Sequence, residues 1–205
     1  MTTTLHRDRL VAVLQRVRQS GARRVVDLGC GDGELITQLL DEPGIEKILG
    51  IELSPRRLLR ARERLTSTQG RLELRQGSML TEPHRLDGYD CAILLETIEH
   101  LDPRELSQLE QGLFARLAPE TILISTPNAD YNPLLGLTGR QFRHPEHRFE
   151  WGRARFLRWA EGIADRHGYG VQRVDVGELE TGYGAPSQLA HFSRLASKVD
   201  CLHRA

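Results

Sequence analysis

Val26-Asp27-Leu28-Gly29-Cys30-Gly31-Asp32-Gly33 decides how this chain folds. A short β-rich run, Arg24 to Leu28, feeds directly into three glycines at alternate positions. Glycine lets a backbone turn sharply and approach a ligand closely. The dinucleotide fingerprint G-x-G-x-x-G requires a glycine three places after Gly31, where Glu34 stands, so that reading fails. A P-loop is also excluded, because no Gly-Lys-Ser/Thr occurs.

Outward from this loop, strand and helix patterns alternate. Leu10, Val13, Leu14 and Val17 fall at helical spacing before Gly21. Leu35, Ile36, Leu39 and Leu40 mark a second helix that stops near Pro43-Gly44, and Ile48–Ile51 reads as the second strand. Pro55 opens a helix through Leu58, Leu59 and Leu65, and Leu72 and Leu74 alternate with charged residues in a third strand. Tyr89–Leu95 is apolar after its first two residues, as a strand buried on both faces should be. One helix is expected from Pro103 past Leu117, followed by a strand at Thr121–Ser125. A helix through Arg155, Phe156, Trp159 and Ile163 and strands at Val171–Val176 and Leu189–Phe192 complete the pattern. The alternation predicts a parallel α/β sheet with helices on both faces. The segment 128–151 breaks it, and an irregular stretch of that length in a compact domain is often functional.

The 205 residues are read as one domain, 1–205, at about 150 residues per domain. Equal numbers of basic and acidic residues, 28 each, argue against a basic coat for long nucleic-acid tracts. Only Lys47 and Lys198 are lysines, so the basic side chains are overwhelmingly arginine. No apolar run approaches the ~20 residues of a membrane span, and the polar start lacks a signal-peptide core. The three cysteines, Cys30, Cys91 and Cys201, are far apart and form no CxxC. A reduced, cytoplasmic setting without membrane contact is the expectation.

Asp27-Leu28-Gly29-Cys30-Gly31-x-Gly33 resembles the first motif of class I S-adenosylmethionine-dependent methyltransferases. The resemblance implies a Rossmann-like, mostly parallel seven-stranded sheet and S-adenosylmethionine as cofactor. Asp27, Gly29, Gly31 and Gly33 would then approach its methionine and ribose parts. Glu52, after the second strand, stands where an acidic residue binds the ribose hydroxyls, and a carboxylate can accept from two adjacent hydroxyls. Ser78 and Met79 would border the adenine, with Ser78 where many relatives carry Asp.

The acceptor side is read from the end of the fourth strand, since ligands of such sheets bind outside the carboxyl ends of the strands. Glu96, Glu99 and His100 lie at i, i+3 and i+4, which would share one face of a helical turn. Two carboxylates and an imidazole form a platform for a divalent metal. Glu99-His100-Leu101-Asp102-Pro103 alone also occurs in small-molecule methyltransferases, where it binds no metal. In the irregular segment, His147 would complete a Glu/Glu/His/His set, and Arg140, Arg143 and Arg148 are candidates for phosphate contacts. His144 and the Arg56, Arg57 and Arg60 row read as surface residues, and Trp151 reads equally as core or as a base-stacking ring.

Glu96-x-x-Glu99-His100, Ser125-Thr126-Pro127-Asn128 and His147-Arg148-Phe149-Glu150-Trp151 together resemble the Hua-enhancer-type small-RNA 3′-terminal 2′-O-methyltransferases over nearly the whole chain. That resemblance implies that Glu96, Glu99, His100 and His147 bind one divalent metal, Mn²⁺ or Mg²⁺, and carry the catalysis. The implied partner is an RNA 3′ end with free 2′ and 3′ hydroxyls. Some relatives with an additional N-terminal half work beside an RNA-repair kinase–phosphatase–ligase; here the methyltransferase pattern begins almost at Met1, which leaves that partner open. Two rival readings remain at this point. One is a metal-independent O-methyltransferase of a small hydroxylated metabolite; the other is a non-catalytic module that binds S-adenosylmethionine or RNA.

Overall fold

The computed structural model describes residues 3–66, 70–139 and 141–196; Arg140, Lys198 and Cys201 lie outside the described residues. Seven strands form: β1 (Arg24–Leu28), β2 (Lys47–Glu52), β3 (Leu72–Gln76), β4 (Cys91–Leu95), β5 (Thr121–Pro127), β6 (Tyr169–Val176) and β7 (Ser187–Arg194). They lie in the order β3-β2-β1-β4-β5-β7-β6. All pairings are parallel except those of β7, which is antiparallel to both β5 and β6. The expected class I methyltransferase sheet is therefore present, mixed only at its β7-β6 edge.

Alternate residues of the central strands feed two separate cores. On one face Val25, Ile48, Cys91, Ile93 and Leu123 pack with Leu10, Val13, Leu14 and Val17 of α1 (Thr4–Ser20). Helices α2 (Glu34–Leu40) and α3 (Pro55–Arg64) cover the rest of that face. On the other face Val26, Leu28, Ala92, Leu94, Ile122 and Ile124 meet α4 (Leu106–Glu110) and α5 (Arg153–His167). Both faces of each central strand are covered, so the apolar runs are continuous and not alternating.

The single helix expected from Pro103 onward is divided. Pro103–Glu105 is a 3-10 turn closed by a reciprocal cap between Asp102 and Glu105, α4 follows, and Gln111–Leu117 widens into a π-helix. Gly112 lies against Pro83 and His84, where an added Cβ would sit 3.2 Å from the imidazole. The turn Glu82–Arg85 is thus packed close against the widened segment. β5, β6 and β7 each run about two residues beyond the apolar stretches that mark them. Cross-strand pairs recruit polar ends, with Thr126 opposite Gln188 and Pro127 opposite Ser187. β4 starts later than expected, because the Asp90 carboxylate accepts from the Arg23 and Arg24 amides (2.7 and 2.8 Å).

The chain leaves β1 toward β2 and leaves β4 toward β5, on opposite sides of the β1–β4 pair. This reversal opens a crevice at their carboxyl ends, where ligands of open α/β sheets bind. Asp27 lies beside it and is buried. Burial, reinforced by the charge of Glu52, pushes its carboxyl up to about 7. The folded state therefore holds a proton that the unfolded chain releases near pH 3.9, so stability falls as pH rises from about 4 to about 7 and is flat above. Asp27→Asn should raise the melting temperature of the ligand-free protein at about pH 8, with a ceiling of about 4 kcal/mol, and the gain should shrink toward pH 4. A melting-temperature difference that does not depend on pH would contradict this assignment.

Candidate active site

The crevice is a cleft of about 720 Å³, a size suited to a cofactor. Asp27, Gly29, Gly31, Glu52, Ser78 and Met79 all line it. At Gly29 (φ +86°) the loop after β1 closely approaches the turn after β4: a Cβ there would lie 2.6 Å from Thr97 Cγ2. Gly31 (φ +57°) faces open space. Gly33, grouped with these in the sequence reading, does not line the cleft; it packs against Leu65 and starts α2. Glu52 Oε2 accepts from the Gly31 amide (2.9 Å) and Oε1 from the Ser54 amide (2.7 Å). Each oxygen retains acceptor capacity for ribose hydroxyls while the same carboxylate shapes the glycine loop. Ser78 closes its own turn by accepting from the Leu80 amide (3.2 Å), which presents Met79 to the cleft. Cys30 is a buried thiol pushed upward by burial, which suits packing and not nucleophilic chemistry.

A second cavity, of about 490 Å³, shares His6, Arg9, Arg57, Glu96 and His100 with the first. Glu99, His144 and His147 also line it. The helical turn expected to carry Glu96, Glu99 and His100 is a 3-10 turn, Ile98–His100, and Glu96 precedes it with φ +52°. That left-handed backbone is uncommon for a non-glycine residue and re-aims the side chain. Ser125 and Ser187 both donate to Glu96 Oε1 (2.9 and 2.7 Å), and Arg9 pairs with Oε2 at 2.7 Å.

Glu99 is fully buried. Its Oε2 accepts from the Thr126 hydroxyl at 3.0 Å, whereas Oε1 is buried with no hydrogen-bond partner among the described residues. Burial and then the charge of Glu96 push the Glu99 carboxyl well above the usual range, against the Thr126 bond and Arg9. A buried carboxylate oxygen without a donor is costly unless a cation meets it. Burial and the neighbouring His147 and His144 hold His100 below the usual histidine range, which favours the neutral form that ligates metals.

His147 is brought to this cavity by the irregular segment, part of which forms a 3-10 helix, Ala129–Leu135. Its ring lies 4.9 Å from that of His100, and its Nδ1 bonds Glu150 Oε1 at 2.6 Å. Burial pushes the Glu150 carboxyl up, but bonds from His147, Asn132 and the Arg143 amide outweigh it and hold the group low. A carboxylate behind an imidazole fixes the ring and leaves Nε2 for a ligand. Among the described residues the ligand atoms that lie within 4.8 Å of one another are those of His100, His144 and His147. Glu96 and Glu99 line the same cavity but fall outside that group, so only the chemistry of the four donors, two carboxylates and two imidazoles, suits a divalent metal of mixed O/N preference.

Other expectations change. Arg143 is not free for phosphate: it donates to Asn132 Oδ1 and the Pro186 carbonyl (both 2.6 Å) and to the Asn128 carbonyl. Trp151 is a core residue stacked on Phe149 (4.4 Å), not a base platform. Arg148 is exposed, and its amide ties the segment to the Glu99 carbonyl at 2.7 Å. Arg57, read as part of a solvated face, borders both cavities. Arg9 and Ser187 were missed by sequence reasoning. They lie 178 residues apart yet share a 3.1 Å bond beside Glu96, and no local spacing signals that.

A family model described as "Methyltransferase domain" matches residues 25–120. The chain is 35% identical to a small RNA 2′-O-methyltransferase of Gallus gallus, over 88% of this chain and 50% of that protein. It is 32% identical to the Arabidopsis thaliana protein of the same name, over 96% of this chain and 23% of that protein. The chain thus spans half or less of these two relatives. Its fold superposes on the crystal structure of the methyltransferase domain of bacterial-CtHen1-CN with a TM-score of 0.83 and 36% identity, covering 93% of this chain and 100% of that one. Matched over the full extent of that domain, the chain belongs to the small RNA 2′-O-methyltransferase family.

Proposed function

We propose that this chain transfers the methyl group of S-adenosylmethionine to the 2′-hydroxyl of the 3′-terminal nucleotide of RNA, with a divalent metal held by Glu96, Glu99, His100 and His147. The observation that carries this is the buried Oε1 of Glu99, without a partner among the described residues, on a side chain that lines one cavity with His100 and His147; that cavity shares His6, Arg9, Arg57, Glu96 and His100 with the cofactor cleft. The names of the relatives supply the RNA substrate class.

Glu52 holds the cofactor ribose, and the loop of Gly29 and Gly31 lets the backbone approach the methionine part. Ser125, Ser187 and Arg9 fix the Glu96 carboxylate, Thr126 fixes one oxygen of Glu99, and Glu150 fixes the His147 ring. Bound there, a metal supplies Lewis-acid polarisation of a hydroxyl and electrostatic stabilisation of developing negative charge. The two cavities share His6, Arg9, Arg57, Glu96 and His100, so an acceptor oxygen held in one would lie beside a cofactor held in the other, and orientation would contribute to rate. In the reaction the sulfonium C–S bond breaks, the C–O bond forms, and S-adenosylhomocysteine and a proton are released. Recognition of a vicinal diol accounts for end specificity, because an internal nucleotide has no free 3′-hydroxyl.

Matched short RNAs ending in a 2′,3′-diol, a 2′-deoxy sugar or a 3′-phosphate test this with labelled cofactor and Mn²⁺. Label is expected on the diol RNA alone and is abolished by EDTA. Activity that survives chelator would favour a metal-independent reaction on a small hydroxylated metabolite, and cofactor binding without turnover on any RNA would favour a silent module. Glu52→Gln replaces an acceptor facing two amide donors and ribose hydroxyls with an amide. It is expected to raise the KM for S-adenosylmethionine by about tenfold or more while leaving RNA binding intact. An unchanged KM would remove Glu52 from the cofactor site.

A further inference from the structure

The second cavity contains an imidazole that the proposed metal set does not use. His100, His144 and His147 each bring a ligand nitrogen to within 4.8 Å of the others. The ring centroids of His100 and His144 are 5.9 Å apart, and those of His144 and His147 are 5.5 Å apart. The arrangement is built by the backbone. The His147 amide donates to the His144 carbonyl at 3.1 Å, which closes a His-x-x-His turn. Arg143, immediately before it, is pinned to the Asn128 and Pro186 carbonyls, and the Arg148 amide, just after it, to the Glu99 carbonyl. Three imidazole nitrogens within 4.8 Å of one another at the wall of a cavity match in type and number the donors of open zinc sites.

His144 is exposed, as is His100, and its Nδ1 accepts a local bond from the Glu146 amide at 3.2 Å. Ligation releases that bond by either route: through Nδ1 directly, or through Nε2 once the ring proton moves to Nδ1, which can then no longer accept. An ion that strongly favours nitrogen repays this; Mn²⁺ or Mg²⁺, satisfied by carboxylate and water oxygens, does not. We infer that His144 gives the centre a second mode of binding: a three-imidazole face of His100, His144 and His147 that captures Zn²⁺ or Co²⁺ in competition with the carboxylate-bound ion. This rests on the proposed metal centre for its two shared imidazoles. Because Zn²⁺ binds such donors more tightly than Mn²⁺ does, the face makes the enzyme sensitive to zinc through a residue that the methyl-transfer set does not need.

The test uses the untagged full chain and its His144→Ala and Glu99→Gln variants. Co²⁺ binding is followed by its visible absorption, Zn²⁺ by displacement of Co²⁺, and Mn²⁺ by the electron paramagnetic resonance of the free ion. His144→Ala is expected to weaken Co²⁺ and Zn²⁺ by about tenfold or more and to reduce the cobalt absorption, while Mn²⁺ affinity changes by less than about twofold. Glu99→Gln is expected to weaken Mn²⁺ by about tenfold or more. Co²⁺ affinity and spectrum unchanged in His144→Ala would overturn the three-imidazole face even if Mn²⁺ binding still depends on Glu99. Mn²⁺ binding indifferent to Glu99 would instead overturn the metal centre of the proposed function, with the cobalt result read separately. His144 is exposed, so its removal leaves the core intact, and a thermal melt of each variant verifies this.

Discussion

Glu96 and Glu99 follow β4 with both carboxylates withdrawn from water, and Glu99 entirely so. Removing two like charges from solvent costs several kcal/mol per ion unless donors, a cation or a proton meets them, and the upward push on the Glu99 carboxyl is the protonation response to that cost. Much of the surrounding architecture meets that cost. β5 extends through Ser125 and Thr126 to give each carboxylate a hydroxyl. The antiparallel β7 supplies Ser187 from the far side, and α1 supplies Arg9. Oε1 of Glu99 remains unmet among the described residues, and Glu99 lines the cavity where the imidazoles gather.

The cofactor and acceptor sides meet at the β1–β4 reversal but rest on different physics. The cofactor side is built mainly from backbone: glycines at positive φ, a close approach at Gly29, and one carboxylate whose amide bonds shape the loop it serves. The acceptor side is built from side chains contributed by α1, the turn after β4, β5, β7 and the irregular segment. Fixing groups from five places to one cavity requires each to be held independently. Glu150 behind His147 and the Arg143 fork into two backbone carbonyls both serve that purpose.

This division explains what could be read from residues alone. The strands and helices were legible because burial on both faces leaves continuous apolar runs, and the glycine loop and Glu52 because backbone constraints act over short spacings. The π-helical widening at Gln111–Leu117 was not, since it follows from the packing of Gly112 against Pro83 and His84. Glu96, Glu99, His100 and His147 could be named as a group, but the left-handed turn at Glu96 had no signal in their spacing. Trp151 and Arg143 could be read as RNA contacts because aromatic and basic residues in a loop look the same whether they face solvent or the interior. Arg9, Ser187 and the convergence of His144 on His100 are tertiary facts, set by segments distant in sequence.

The central claim is that Glu99 Oε1 is the oxygen of a metal ligand. Anomalous diffraction at the manganese edge, from crystals of the chain grown with Mn²⁺, tests this most directly. The account predicts a single strong peak within coordination distance of Glu99 Oε1 and of the His100 and His147 nitrogens. A Glu99 carboxylate still unpaired, with no peak beside it or with the ion bound elsewhere, would contradict it.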